Sequence, residues 1–535
     1  MTASFNLLDR PWIPCQFASA ATPRDISLRD ALAYAGEING IVADSPLETI
    51  AMYRVLLAVL HRIFRVRDDA DWSQLWEAGL FDADRVDVWA TTWRHRFDLF
   101  DSERPFYQAP GLPEMAGTTV AKLGHEFSAG NNAVLFDHSW DTSPPSVPAA
   151  KAARLLLAHE MFAIGGLIGR LPGDPPSAEA SHLVKAAVLL NVGANLFETL
   201  VLNMVRVDGQ ADEPFPFDPA KDAPAWEREP ARAIEREPEG YLDLLTWQSR
   251  RILLFPNADG ETVSHITLMA GLRLPSGLPI RQRETMAAYK VRANPIKVTD
   301  PWAPLGFVRD RALWRDSANL LQALDGTKQI PATLRWLSSL RTAAAFDRSR
   351  TFSLAAFGLS TDRAKVFLWR SEELPLPLAY LEQQDLVAAL ADAVTAAEES
   401  GRALRSGVRS LAGETLGPGG TADKDRVTAL VDSLAPLRAY WPALDVPFRT
   451  YMVRLADEYP SDYGEAADLW WADQVSGAAR DAFEHACRAM ETESRGYRAA
   501  AEAGPRFRYL LSEALKPLQP EPPDEPTPKS EEVSP

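Results

Sequence analysis

Four short stretches of this chain have residue types suited to contact with a partner, and none of them is a catalytic set. Gly165-Gly166, with Gly169 close behind, is backbone without Cβ atoms, which lets a partner approach closely. A phosphate loop would need Gly-x-x-x-x-Gly-Lys-Ser/Thr after a strand, and that pattern is absent here. Lys290 and Arg292, with Lys297 beyond, make a locally basic strand. Thr361-Asp362-Arg363 stands between two β-favouring runs, 353–357 and 364–369, with Gly358 and Ser360 before it. That pattern predicts a strand–turn–strand with a turn over 358–363, its polar tip held on a rigid base. Phe136, His138 and Trp140 lie in a stretch with two prolines and several small polar residues, which predicts an exposed irregular loop. Three of the stretches also have a plainer reading: a solvated strand edge, a solvated hairpin, a loop whose aromatics fold back onto the core.

Catalytic and metal chemistry finds little to stand on. His159-Glu160 lacks the second histidine of a zinc-protease helix, and no Gly-x-Ser-x-Gly elbow occurs. The eight histidines are scattered. The two cysteines, Cys15 and Cys487, lie near opposite ends, which excludes a disulfide framework or a zinc site built on several cysteines. The expectation is a non-enzymatic protein with no metal and no cofactor. A net charge of −17 argues against a free-standing nucleic-acid binder. It leaves room for local basic patches, or for a subunit whose partners supply most phosphate contacts. The absence of a long apolar run and of a basic-then-apolar N-terminal pattern predicts a cytoplasmic protein with no membrane partner.

The elements that must position these stretches are legible in outline. A length of 535 residues, 46% hydrophobic and 24% charged, predicts a globular protein of two or more domains. Ser45-Pro46-Leu47-Glu48 reads as a capping box, followed by Ile50, Tyr53, Leu57 and Leu60 on one helical face. Residues 151–162 are helix-prone, 183–191 form a buried strand or helix, and 251–255 an apolar strand. The acidic, proline-rich stretch 208–239 predicts a surface excursion. Beyond residue 380 the pattern becomes helical. One stripe comprises Leu386, Val387, Leu390 and Val394; a second, Val427, Leu430, Val431, Leu434 and Leu437. A third comprises Trp471, Val475, Ala479, Ala482, Phe483 and Ala486, and 497–515 is a fourth helical segment. The fold class expected is α+β: a mixed α/β domain over 1–375, an antiparallel four-helix bundle over 380–516, and a disordered acidic, proline-rich tail over 517–535. Arg402, Arg405 and Arg409 mark an outer face of the bundle, either solvated or a path for a displaced DNA strand.

Several of these stretches resemble, in order, the CasA family, the large subunit of the type I-E CRISPR surveillance complex called Cascade. The opening Phe5-Asn6-Leu7-Leu8-Asp9-Arg10-Pro11-Trp12-Ile13-Pro14 looks like the family's start. Pro105-Phe106-Tyr107-Gln108, Val188-Leu189-Leu190-Asn191, Pro224-Ala225-Trp226, Asp300-Pro301-Trp302 and Ala312-Leu313-Trp314-Arg315-Asp316 continue it. The resemblance implies a non-catalytic subunit that reads the protospacer-adjacent motif, a short duplex tag beside a target, through the minor groove. Gly165 and Gly166 match the family's minor-groove glycine loop, and Lys290 its supporting lysine. Phe136, with His138 after it, matches a loop that contacts CRISPR RNA and DNA. Asp362 and Arg363 fall where the family hairpin carries an Asn-Gln wedge, and both depart from it. Some members carry a cysteine cluster after the apolar strand; Pro256-Asn257-Ala258-Asp259-Gly260 stands there instead, so no zinc is expected. The partners implied are CRISPR RNA, double-stranded target DNA, the backbone and small subunits, and a helicase-nuclease. The helical bundle is implied to touch the small subunits. The residues themselves also allow a helical scaffold without nucleic-acid contact, or a hydrolase whose site is not readable.

Overall fold

The computed structural model describes residues 3–115, 117–127, 145–206, 218, 220–292, 301–321, 326–342, 350–362, 365–417, 419, 421–490 and 494–519. The chain divides into two compact units, Met1–Glu382 and Gln383–Pro535.

In chain order the first unit runs β1 (Ile13–Phe17), β2 (Arg24–Ile26), α1 (Leu28–Ala33), β3 (Ile38–Ile41), α2 (Pro46–Phe64), α3 (Asp69–Ala78) and α4 (Ala83–Trp93). It continues through β4 (Val147–Pro148), α5 (Ala149–Phe162), β5 (Gly166–Leu167), β6 (Ser177–Ala178), β7 (Val188–Val192), α6 (Leu196–Leu202) and α7 (Tyr241–Leu245). Then come β8 (Arg250–Pro256), β9 (Thr262–Ala270), β10 (Tyr289–Val291), β11 (Trp302–Pro304), α8 (Ser317–Leu321), β12 (Lys328–Gln329), α9 (Ala332–Thr342), β13 (Thr351–Asp362) and β14 (Lys365–Pro377). The strands form small antiparallel sheets, ordered β2-β1-β3, β4-β9-β8, β11-β10-β12 and β14-β13-β7, and a two-stranded ribbon, β5-β6. This is the α+β arrangement expected, with strands spread over several sheets.

Helix α2 is the centre of the first unit. A single apolar face was expected, but burial runs almost all round the helix, from Leu47 to Ile63. A helix enclosed on every side packs against neighbours on every side, here α5, α7, β13 and β14 among them. Ser45 caps it by accepting the Glu48 N–H at 3.3 Å. The return half of the capping box is not made. The Glu48 carboxylate instead takes Lys151 Nζ at 2.7 Å and Arg154 Nε at 3.1 Å, tying α2 to α5.

The acidic stretch after residue 208 is only partly a surface excursion. Its Trp226 is buried and packs among Trp89, Phe97 and Phe106. Glu227 fixes the flank by pairing with Arg62 at 2.6 Å. One indole therefore anchors an otherwise polar segment onto the core.

The second unit holds α10 (Gln384–Leu416), α11 (Lys424–Leu434), α12 (Leu437–Asp462), α13 (Glu465–Met490) and α14 (Ser494–Leu515). The four long helices make the bundle, and the short α11 is added to it. The second stripe, 427–437, does not lie on a long helix. It breaks at Ala435, which is left-handed at φ 42°, just before Pro436. Pro442, Pro447 and Pro460 lie inside α12 and interrupt the pattern by which a long helix is read from sequence. Buried polar groups lock the helices: Trp471 Nε1–H donates to the Ala393 carbonyl at 3.0 Å, and the Tyr440 hydroxyl to the Ala397 carbonyl at 2.7 Å. The arginine row on α10 is exposed but not free. Arg405 faces Asp432 at 3.8 Å, Arg409 donates to the Thr428 hydroxyl at 3.2 Å, and Arg402 pairs with Glu399. Two of the three are thus engaged by α11, which weakens the idea of a bare cationic path.

Candidate nucleic-acid interface

The glycine pair sits where α5 ends. The last turn of a helix leaves carbonyls without partners. Here the Ser181 and Ser249 hydroxyls donate to the Glu160 carbonyl at 2.8 and 2.7 Å, and the Ser181 N–H donates to the Ala163 carbonyl at 2.9 Å. Arg250, itself buried, donates from its guanidinium to the Ile164 carbonyl at 2.9 Å and the Ser249 carbonyl at 2.8 Å. Its backbone N–H donates to the Glu160 carboxylate at 2.8 Å. Burial pushes the Glu160 carboxyl up to about 8 against the pull of Arg250, and burial lowers Arg250 to about 10. The chain thus leaves α5 on a rigid polar support.

On that support the two glycines part in role. A Cβ on Gly165 would meet Ala180 N at 2.9 Å and the Ala178 carbonyl oxygen at 3.2 Å, so glycine is needed there for internal packing. Gly166 begins β5, paired with Ala178 of β6, and a Cβ there would meet nothing within 4 Å. Leu167 beside it is 91% exposed, a residue that sequence reading passed over because a lone leucine carries no signal. The ribbon borders a cleft of about 770 Å³ whose lining includes His182, Ser249, Arg250 and Arg273.

Lys290 lies in the central strand of its sheet, opposite Ala303 of β11 and Lys328 of β12, so it is not on a strand edge. Its side chain is half exposed and its Nζ is 3.8 Å from Asp316. Asp316 also takes Arg311 at 2.9 Å. The Arg311 carbonyl accepts from Arg370 of β14, which pairs with Glu372 at 2.9 Å. Glu372 in turn accepts the Leu313 N–H at 2.7 Å. One polar chain therefore links Lys290 to the long hairpin, a connection that no local pattern in the sequence announces.

The hairpin is real and longer than expected. β13 and β14 pair from Thr351↔Pro377 to Asp362↔Lys365. Gly358 to Thr361 belong to the strand and not to the turn. Gly358 is needed because the Ala186 carbonyl oxygen passes 2.7 Å from where its Cβ would stand. Asp362 ends β13; Arg363, Phe136 and His138 lie outside the described residues.

The segment 177–192 joins the ribbon to the hairpin. Its Ala178 pairs with Gly166 and its Val188 with Phe357. Ten residues separate those two pairings, a span of at most about 35 Å. Between them, His182 Nε2 is 3.1 Å from Glu284, which also holds Arg54 through bonds of 2.9 and 3.1 Å. Burial pushes the Glu284 carboxyl up, but Arg54 and His182 outweigh it and hold the group well below its ordinary 4.5. Farther along, the Ala187 N–H donates to the Leu305 carbonyl and the Leu189 N–H to the Met286 carbonyl, both at 2.7 Å. Glycine ribbon, lysine strand and hairpin thus hang from one buried frame. Among the described residues, no group of three or more His, Cys, Asp or Glu could hold a metal ion, and no helix is long and apolar enough to cross a membrane.

An exposed glycine edge, a half-exposed lysine and a long hairpin thus share one buried frame. The sequence matches the family described as CRISPR-associated protein Cse1 over residues 6–482, and the chain belongs to that family. It is 32% identical over 526 residues to the CRISPR-associated protein CasA/Cse1 of Thermus thermophilus, covering 95% of this chain and 97% of that one. The crystal structure of Cse1 from Acidimicrobium ferrooxidans superposes with a TM-score of 0.82 at 27% identity, over 97% of this chain and 99% of that one. A chain of a CRISPR RNA-guided surveillance complex shares the fold at a TM-score of 0.71 and 23% identity, over 96% of this chain and 99% of that one.

Proposed function

We propose that this chain is the non-catalytic large subunit of a type I-E CRISPR RNA-guided surveillance complex in the cytoplasm. In this reading the CRISPR RNA reads the target by pairing, and the protein reads only the short duplex tag. Gly166 admits the minor-groove edge, where a Cβ would intrude between backbone and base pairs. Lys290 adds positive charge at the groove. The hairpin tip, with Asp362 and Arg363, enters where the first base pair opens and an R-loop begins. Arg363 differs from a neutral glutamine wedge in that a guanidinium both stacks on bases and grips phosphate. Phe136 and His138 contact the RNA end and the DNA, and the bundle meets the small subunits and helps recruit a helicase-nuclease. The observation that carries the reading is the exposed Gly166 edge, clear of neighbours to 4 Å, in a chain of the Cse1 family.

The test is R-loop formation by the assembled complex, read by permanganate reactivity of the opened strand. Gly166→Asp and Arg363→Ala are each expected to weaken tag-dependent opening. Unchanged R-loops in both variants refute the site assignment. The net charge of −17 favours a second reading, a scaffold without nucleic-acid contact. Purification from cells without co-purifying CRISPR RNA or sister subunits would establish that reading instead.

A further inference from the structure

A β-bulge near the end of the long hairpin sets one aromatic side chain apart from the rest. Ser360 pairs with Leu368 and Thr361 with Val366, so Phe367 is the extra residue on β14. Bulges re-aim the side chain that they carry. Phe367 is 49% exposed, whereas Val366 and Leu368 on either side are partly buried. It stands two residues beyond Lys365, the first residue of β14, or about 7 Å along the strand.

A single exposed phenyl ring is ordinary on a protein surface. What distinguishes this one is a neighbouring cation. The Arg309 guanidinium carbon lies 5.7 Å from the Phe367 ring centroid. Arg309 is exposed on a tight turn closed by the bridge Val308↔Arg311. That turn is clamped to the hairpin by Arg370, which donates to the Val308 and Arg311 carbonyls and lies 4.8 Å over the buried Phe307 ring. Gly358 lets the Phe307 ring approach the strand, with a ring carbon 3.2 Å from where its Cβ would be. The pair is thus built from two separate segments and held by buried parts of both.

The geometry points to a stacking platform in which Phe367, flanked by Arg309, takes an unstacked nucleobase from DNA opened at the hairpin tip. An aromatic face with an adjacent guanidinium suits a base whose phosphate lies nearby, whatever the base identity. This inference rests on the reading that the hairpin acts at the point of opening. It adds the site that receives a base once the pair is broken.

The experiment uses the assembled complex and tagged duplexes with 2-aminopurine at the first position beside the tag. Wild type should quench the fluorophore again after opening, as the freed base stacks. Phe367→Ala should abolish that quench and slow opening about tenfold, with binding to the unopened tagged duplex unchanged. Phe367→Trp should restore both, Arg309→Ala should give an intermediate loss, and a pre-melted duplex should remove the rate defect. Normal opening and quenching in Phe367→Ala, with Gly166→Asp and Arg363→Ala impaired, overturns the platform and leaves the hairpin reading intact. Normal opening in all three overturns both. Failure of Phe367→Ala and Phe367→Trp to assemble with the sister subunits makes Phe367 a protein contact and also overturns the platform.

Discussion

Glu284→Gln is the sharpest test of the frame that carries the candidate interface. The Glu284 carboxylate takes two bonds from Arg54, contacts His182 and accepts the Met286 N–H at 2.9 Å. The side chains of Arg54 and Glu284 are each 1% exposed. A glutamine keeps the shape but removes the charge and turns an NH₂ group toward a guanidinium. Arg54 is then a buried cation without its counter-ion, which costs about 3–5 kcal/mol. A unit of this size has an unfolding entropy of about 0.8 kcal/mol/K, so its melting temperature should fall by about 4–6 °C. Removing both charges together, as Arg54→Met with Glu284→Leu, should recover most of that loss, because the double change leaves no stranded charge. The pH dependence carries a sign. The folded carboxyl is held below its ordinary 4.5, so its contribution is fully present above that value and is lost as pH falls toward the depressed one. The wild-type advantage over Glu284→Gln should therefore shrink on acidification below about pH 4.5. Calorimetry of the purified chain between pH 3 and 8 measures all three. A melting shift under about 1 °C at pH 7 refutes the claim that this pair is a buried, mutually dependent one.

Three further outcomes follow from the same contacts. Gly165→Ala should destabilise the ribbon by about 1–3 kcal/mol, since its Cβ meets backbone at 2.9 Å; urea denaturation should detect it without any nucleic acid present. Glu160 is a carboxyl raised by burial, so the folded form holds its proton more tightly than the unfolded chain does. Stability from this group is full below about pH 4.5 and lost as pH rises toward about 8, and Glu160→Gln should flatten that slope in urea titrations at pH 5, 7 and 9. Trp471→Phe should cost the bundle about 1 kcal/mol by removing the indole N–H bond to the Ala393 carbonyl, read as a lower urea midpoint.

Much of the fold was legible because its signals are local. The Ser45 cap, the apolar strand ahead of Pro256, the strand–turn–strand around residue 360 and the helical stripes beyond residue 380 are patterns of neighbours a few residues apart. The errors fell where a distant segment decided the outcome. Glu48 looked like half of a capping box, but Lys151 and Arg154 compete for its carboxylate. Gly358 looked like a turn residue, but the Ala186 carbonyl makes it a packing residue inside a strand. Lys290 looked like a strand edge, yet strands from both sides enclose it.

By itself, the sequence determined the two-part composition, the local elements and an ordered set of motifs that identifies the Cse1 family. The first two depend on propensity, periodicity and spacing, which are properties of adjacent residues; the third depends on resemblance to known members of the family. Tertiary structure alone decided which of two neighbouring glycines faces outward and which is filled by the backbone of residues 178–180. It alone buried Arg54, Arg250 and Glu284, three charged residues that composition would leave in solvent. It also joined Lys290 to the hairpin through Asp316, Arg311 and Arg370. The reason is physical: a charge is stable inside a protein only where partners from remote parts of the chain converge on it, and convergence is a property of the fold.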